Sequence, residues 1–198
     1  RKQSAQALVE LLAQLTQSQP GNYLIYLPSY EYLDLIASGY HPGARDERVL
    51  RQTVDMSDSE SKAFIDSFTV DSRITGFAVI GGKFSEGIDL KGLRLSGAVI
   101  VSLGLAPRSI RYDDLALRLI EGVPGSDNEA LAAMDSYDYA YRFPALQRVI
   151  QTAGRVVRSE YDRGVVILVD PRFCQSRNLD LLPEHWAPQV VSNAQEIT

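Results

Sequence analysis
The chain has 198 residues, 45% hydrophobic and 23% charged, which allows one domain with a well-buried core. Its net charge of −5 excludes a generally basic, nucleic-acid-coating surface, so any such contact must be local. The lone Cys174 excludes a disulfide framework and any zinc or iron–sulfur site built within this chain, and His41 and His185 offer no metal-ligand spacing.

No apolar run approaches the ~20 residues that span a bilayer. Residues 4–17 instead place Ala5, Leu8, Val9, Leu11, Leu12 and Leu15 at helical spacing. The opening is therefore read as an amphipathic helix, not a signal peptide. The first residue is Arg1, consistent with a fragment or processed chain, and a reducing, cytoplasmic setting with no membrane partner is expected.

Pro20-Gly21 punctuates the first helix, and Asn22–Leu27 (NYLIYL) has the apolar character of a buried strand. Pro28 stops it, and Ser29 is placed to cap a helix running to Gly39. Residues 49–54 alternate weakly as a strand. Ser57, with Glu60 three residues on, forms a capping box for a helix carrying Ala63, Phe64, Ile65 and Phe68. Strands are expected over residues 77–80 and 98–103, and helices over 115–120 and 129–134. Pro144 suits the first turn of a helix running to about Ser159. GVVILVD, residues 164–170, is a last buried strand closed by Pro171, and the tail 183–198 is expected to be irregular.

Apolar strands alternating with helices imply one α/β domain over residues 1–198, with a mostly parallel central sheet covered by helices on both faces. Ligands of such sheets gather at the carboxyl ends of the strands, which groups the loops after residues 27, 80, 103 and 170.

Three stretches carry chemistry. GGKFSEGIDLKG, residues 81–92, follows a strand directly, and its glycines permit a sharp turn and close approach of a ligand. It lacks the Lys-Ser/Thr of a phosphate-binding P-loop. It is equally compatible with a surface loop whose carboxylates stand in water.

In QRVIQTAGRVVR, residues 147–158, helical rotation of about 100° per residue puts Gln147, Gln151, Gly154, Arg155 and Arg158 on one stripe. The opposite side is apolar. A solvated face is the ordinary fate of such a stripe. Yet a glycine inside a helix costs about 1 kcal/mol, which suggests close approach to the backbone. Two arginines one turn apart suit a polyanion such as a triphosphate. In LPSYEYL, Ser29 and Tyr26, Tyr30 and Tyr32 either pack structurally or meet bases and phosphates.

In this order the three stretches resemble the second motor domain of the DinG/XPD group of superfamily 2 DNA helicases. The motif IV region is residues 22–33, motif V is residues 81–92 and motif VI is residues 147–163. The DinG side is the closer, through RSEYDRGVV followed by DPRF.

The resemblance implies a RecA-like three-layer domain of an ATP-dependent 5′→3′ DNA helicase, engaged in DNA repair or replication. ATP and Mg2+ would be held mainly by a first RecA-like domain of the same polypeptide. That domain also carries the Walker A and DEAH motifs absent here, and in some members an iron–sulfur insertion. Gln151, Arg155 and Arg158 would face the γ-phosphate, the two arginines acting as fingers. Glu86, Gly87, Asp89 and Gly154 would lie at the nucleotide. Ser29, Tyr30, Lys83 and Ser85 would line the path of single-stranded DNA. The resemblance assigns nothing to residues 112–138.

Two other classes compete with this reading. One is a helicase-derived nucleic-acid-binding module without ATPase activity. The other is a Ser-His-Asp hydrolase around His185, disfavoured because no Gly-x-Ser-x-Gly elbow is present.

Overall fold
The structure, a computed structural model, describes residues 2–86, 94–106, 108–121, 136–154, 164–191 and 194–197. Five parallel strands form one sheet: β1 (Tyr23–Leu27), β2 (Arg48–Arg51), β3 (Ile74–Val79), β4 (Gly97–Val101) and β5 (Val165–Val169), in the order β2-β3-β1-β4-β5. Every residue of β1 and β4 is buried, as continuous apolar runs require in a sheet covered on both faces.

The handedness of parallel crossovers then sorts the helices. The connection from β1 out to β2 carries α2 (Tyr30–Gly39) onto one face, where α1 (Lys2–Ser18) joins it through Leu8, Leu12 and Leu15. Every later connection runs back the other way. α3 (Asp58–Asp66), the single turn α4 (Lys83–Glu86) and α6 (Phe143–Ala153) therefore lie on the opposite face. Phe64, Phe68, Phe84, Leu146 and Val149 build the core there. β1 and β4 are thus adjacent strands whose connections depart in opposite directions, and the crevice at their carboxyl ends is the topological switch point of the sheet.

Local signals held where capping chemistry is explicit. Ser29 Oγ accepts the Tyr32 N–H at 3.2 Å. Ser57 and Glu60 form the reciprocal capping box.

Strand edges moved. β3 starts at Ile74, three residues before the expected strand, because Ile74, Thr75 and Gly76 already pair with the neighbouring strands. Gly76 breaks the apolar run since it is pressed between Phe68, Leu24 and Phe64, where no side chain would fit. β2 ends at Arg51, since the Gln52 side chain takes over the ladder by accepting the Val79 N–H at 2.9 Å. β4 ends at Val101 because Ser102 turns the chain with φ 73°.

The helix expected over residues 115–120 is longer, α5 (Ile110–Glu121), while that expected over 129–134 lies outside the described residues. Before α6 the chain makes a π-helical turn, Asp138–Arg142, so the helical path begins ahead of Pro144. After β5 come a 3-10 turn, Pro171–Cys174, and a short helix α7 (Ser176–Leu179). Among the described residues, the tail holds only 3-10 turns, at Glu184–Trp186 and Ala194–Ile197.

Candidate nucleic-acid and nucleotide interface
The carboxyl rim gathers groups from four strands. A cleft of about 1220 Å³ opens there, lined at the switch point by Pro28, Ser29, Val101, Ser102 and Asp170. It continues toward Leu8 and Leu35 over the half-exposed Ile167 and Val169 of edge strand β5. Its polar end is built from residues that the sequence reading did not single out. Asp170 Oδ1 accepts the Arg172 backbone N–H and Nε–H, both at 2.9 Å, and Oδ2 accepts Nη2–H at 2.7 Å.

Arg172 Nη2 also donates to Ser102 Oγ at 3.1 Å. The Ser102 N–H in turn donates to the Val169 carbonyl at 3.0 Å, so the strained serine is locked across β4 and β5. Burial raises the Asp170 pKa, but the Arg172 side chain and N–H outweigh this and hold its carboxyl below the usual value. The pair keeps the guanidinium charged and oriented at the rim, with its side chain 39% exposed.

Beside it stands an aromatic ladder. Tyr137 stacks on Tyr141 at 5.1 Å between centroids, and Tyr141 meets Tyr112 at 5.4 Å. Tyr141 OH is anchored on Asp113 Oδ1 at 2.7 Å, while Tyr137 remains 44% exposed. Tyr137 lies within electrostatic reach of Arg172. An exposed ring backed by two others, next to a cation, is suited to receive a base and its phosphate.

The expected site residues divide. Ser29 is exposed at the switch point, capping α2. Tyr30 is half-buried, its hydroxyl accepting Gln52 Nε2–H at 3.0 Å. Lys83 is exposed and bonded to Asp58 at 3.0 Å and to the Met56 carbonyl at 3.1 Å. An exposed ion pair of this kind contributes about 0–1 kcal/mol, so a phosphate can replace the carboxylate.

Ser85 does not line a strand path. It is 1% exposed, and its hydroxyl accepts the Gly81 N–H at 2.9 Å and donates to the Val79 carbonyl at 3.2 Å, bracing the turn. Tyr26 is likewise unavailable for stacking, being buried with its hydroxyl on the Phe84 carbonyl.

On α6, Gln147 and Gln151 are exposed while Leu146, Val149 and Ala153 are buried, which agrees with the expected stripe as far as the helix runs, to Ala153 and not to about Ser159. Gly154 is corrected from a mid-helix residue to the C-cap of α6, where the helix-interior penalty does not arise. Arg148, beside the stripe, lies over Gly81: a Cβ there would come within 3.5 Å of its guanidinium. It therefore links motif VI to motif V. Glu86 closes α4, and only its backbone is described; Gly87, Asp89, Arg155 and Arg158 lie outside the described residues. Among the described residues no group of three His, Cys, Asp or Glu could hold a metal ion.

A doubly wound, five-stranded parallel sheet covered by helices defines a RecA-like α/β domain. The chain belongs to the helicase C-terminal domain family, whose model matches residues 12–189, and is of the XPD/DinG-like kind.

The chain is similar to the ATP-dependent DNA helicase CHL1 of Meyerozyma guilliermondii, 30% identical over 83% of this chain and 21% of that protein. It is also similar to the probable ATP-dependent helicase MJ0942 of Methanocaldococcus jannaschii, 28% identical over 82% of this chain and 25% of that protein. Among solved structures, apo XPD matches with TM-score 0.66 and 24% identity over 91% of this chain and 35% of that one. The chain therefore spans about a fifth to a quarter of the length of these curated relatives.

Proposed function
We propose that this domain is the second motor domain of an ATP-dependent DNA helicase, with the carboxyl rim of its sheet carrying single-stranded DNA. The observation that carries this is the cleft at the switch-point rim, lined by Ser29, Ser102 and Asp170, with Arg172 held between Asp170 and Ser102 and the Tyr137 ring within electrostatic reach of it. Phosphates pair with Arg172, Ser29 and Lys83, and a base extends the tyrosine stack.

ATP and its Mg2+ are assigned to the first motor domain. Gln151, Arg155 and Arg158, with Glu86, Gly87, Asp89 and Gly154 beside them, face the nucleotide across the cleft. Closure of the cleft on ATP and opening after hydrolysis drive 5′→3′ movement, in the DinG manner and in the cytoplasm, in support of DNA repair or replication.

The decisive experiment is fluorescence anisotropy of a labelled oligothymidylate with the helicase that carries this domain. Tyr137→Ala is expected to weaken binding by about 5- to 100-fold, the value of one base–aromatic stack. Unchanged affinity removes the rim from the DNA path, and absence of binding by the parent protein removes the reading as a whole. A second expectation separates this domain from a self-sufficient ATPase. The isolated chain, which has no Walker A lysine, releases no phosphate above background in a malachite-green assay, with or without single-stranded DNA. Turnover by the isolated chain would contradict the assignment of the nucleotide to the partner domain.

A further inference from the structure
Gln52 is 3% exposed and lies between the two loops that carry the motif IV and motif V residues. Its backbone N–H extends the β2–β3 ladder onto the Phe77 carbonyl at 2.8 Å. Its side chain then occupies the next rung, with Oε1 accepting the Val79 N–H at 2.9 Å. That contact determines which way the amide faces, because only its oxygen can accept from a backbone N–H.

Nε2 is consequently turned to the Tyr30 hydroxyl, 3.0 Å away. An amide N–H can only donate, so the Tyr30 oxygen is the acceptor on its inner side. Among the described residues its proton has no acceptor. The amide is also wedged against the motif V turn: a Cβ on Gly82 would come within 3.1 Å of Nε2 and 3.0 Å of the Val79 carbonyl.

We propose that Gln52 is a positioning residue that holds the Tyr30 hydroxyl as an outward-directed proton donor for a phosphate of the bound single strand. This deepens, and rests on, the DNA path described above. The chain of polarity runs in one direction. The Val79 N–H orients the Gln52 amide, the amide donates to the Tyr30 oxygen, and the Tyr30 proton is left for an acceptor outside the protein. A glutamate at the same position would reverse the last link. Its carboxylate accepts from both the Val79 N–H and the Tyr30 O–H, so the hydroxyl proton turns inward and is lost to DNA. A methionine leaves the hydroxyl free to rotate outward.

The experiment measures anisotropy of a labelled oligothymidylate with the helicase that carries this domain, in four variants. Tyr30→Phe and Gln52→Glu are each expected to weaken binding by about tenfold, the effect of one charge-assisted hydrogen bond. The double variant Gln52→Glu/Tyr30→Phe is expected to be no weaker than either alone, since both remove the same proton. Gln52→Met loses the Val79 partner and the donor to Tyr30, so it is expected to melt about 2–8 °C lower and to bind about threefold more weakly than the parent, less than the loss in Gln52→Glu, because the unheld hydroxyl still turns outward part of the time.

Additive losses in the double variant, or a loss in Gln52→Met equal to that in Gln52→Glu, would reduce Gln52 to a structural brace and overturn the proposal. So would parent-like binding by Tyr30→Phe, although the DNA path itself would stand. Among these measurements, failure of the parent protein to bind the oligonucleotide is the outcome that removes that path.

Discussion

Replacing Arg155 or Arg158 by Ala in the helicase that carries this domain is expected to lower ATP turnover by about 10³-fold or more, with single-stranded DNA affinity little changed. The expectation follows from what an arginine does in phosphoryl transfer. Charge accumulates on the oxygens of the transferring group, and a guanidinium held in a water-poor cleft stabilises that charge far more in the transition state than in bound ATP. It is carried by the resemblance of QTAGRVVR to motif VI and by the polarity of α6. Gln147 and Gln151, on the helix that precedes the two arginines in sequence, face solvent. Steady-state ATPase assays with saturating oligothymidylate, paired with anisotropy, separate the outcomes. Parallel loss of turnover and DNA affinity would mean that the stripe is structural.

The second large effect concerns stability. Asp138 and Arg142 form a bidentate pair inside the π-helical turn, with side chains 8% and 10% exposed. Arg142 also donates to the Arg177 carbonyl at 2.8 Å and to Asn178 Oδ1 at 3.2 Å, and stacks over the Phe143 ring at 4.9 Å. Asn178 Nδ2 reaches back to the Arg172 carbonyl at 2.8 Å. The clasp thus fastens the turn bearing Tyr137 to the segment bearing Arg172.

Asp138→Ala strands a buried guanidinium without its counter-charge and is expected to cost about 3–5 kcal/mol, read from the urea midpoint. Replacing both partners together, as Asp138→Leu/Arg142→Met, is expected to recover most of that loss, because no lone charge remains. A single variant as stable as the parent would show that the pair contributes nothing to holding the two segments. The physical point is that the clasp gives geometry to the rim: Tyr137 and Arg172, far apart in sequence, are kept within electrostatic reach of each other.

Much of this architecture was legible in the residues themselves. Tyr23–Leu27 is an unbroken apolar run, and a strand of that kind is stable only between two layers of helices, so a covered parallel sheet followed. Val165–Val169 is as apolar and was expected to be buried, but it is the edge strand and is only partly buried at every position. Ser29 and Ser57 were readable as caps because capping is a local contest between a side chain and the first free backbone donors of a helix. The α6 stripe was readable because helical periodicity is a property of spacing alone.

What the sequence could not disclose depends on convergence through space. Ser85 sits in a polar-looking stretch but is buried, because the α4 turn drives Phe84 onto Phe64 and carries the neighbouring hydroxyl into the β3 turn. Ser102 reads as an unremarkable residue after a strand. Only the sheet reveals that it turns with a positive φ to receive Arg172 from beyond the next strand. Gln52 reads as the end of a weak strand, and its role appears only when β3 supplies the N–H that orients its amide. Hydrophobic pattern and caps act between near neighbours, so composition and spacing determine them. Polar alignment at the rim is set by which strands become adjacent, and the order β2-β3-β1-β4-β5 decides that.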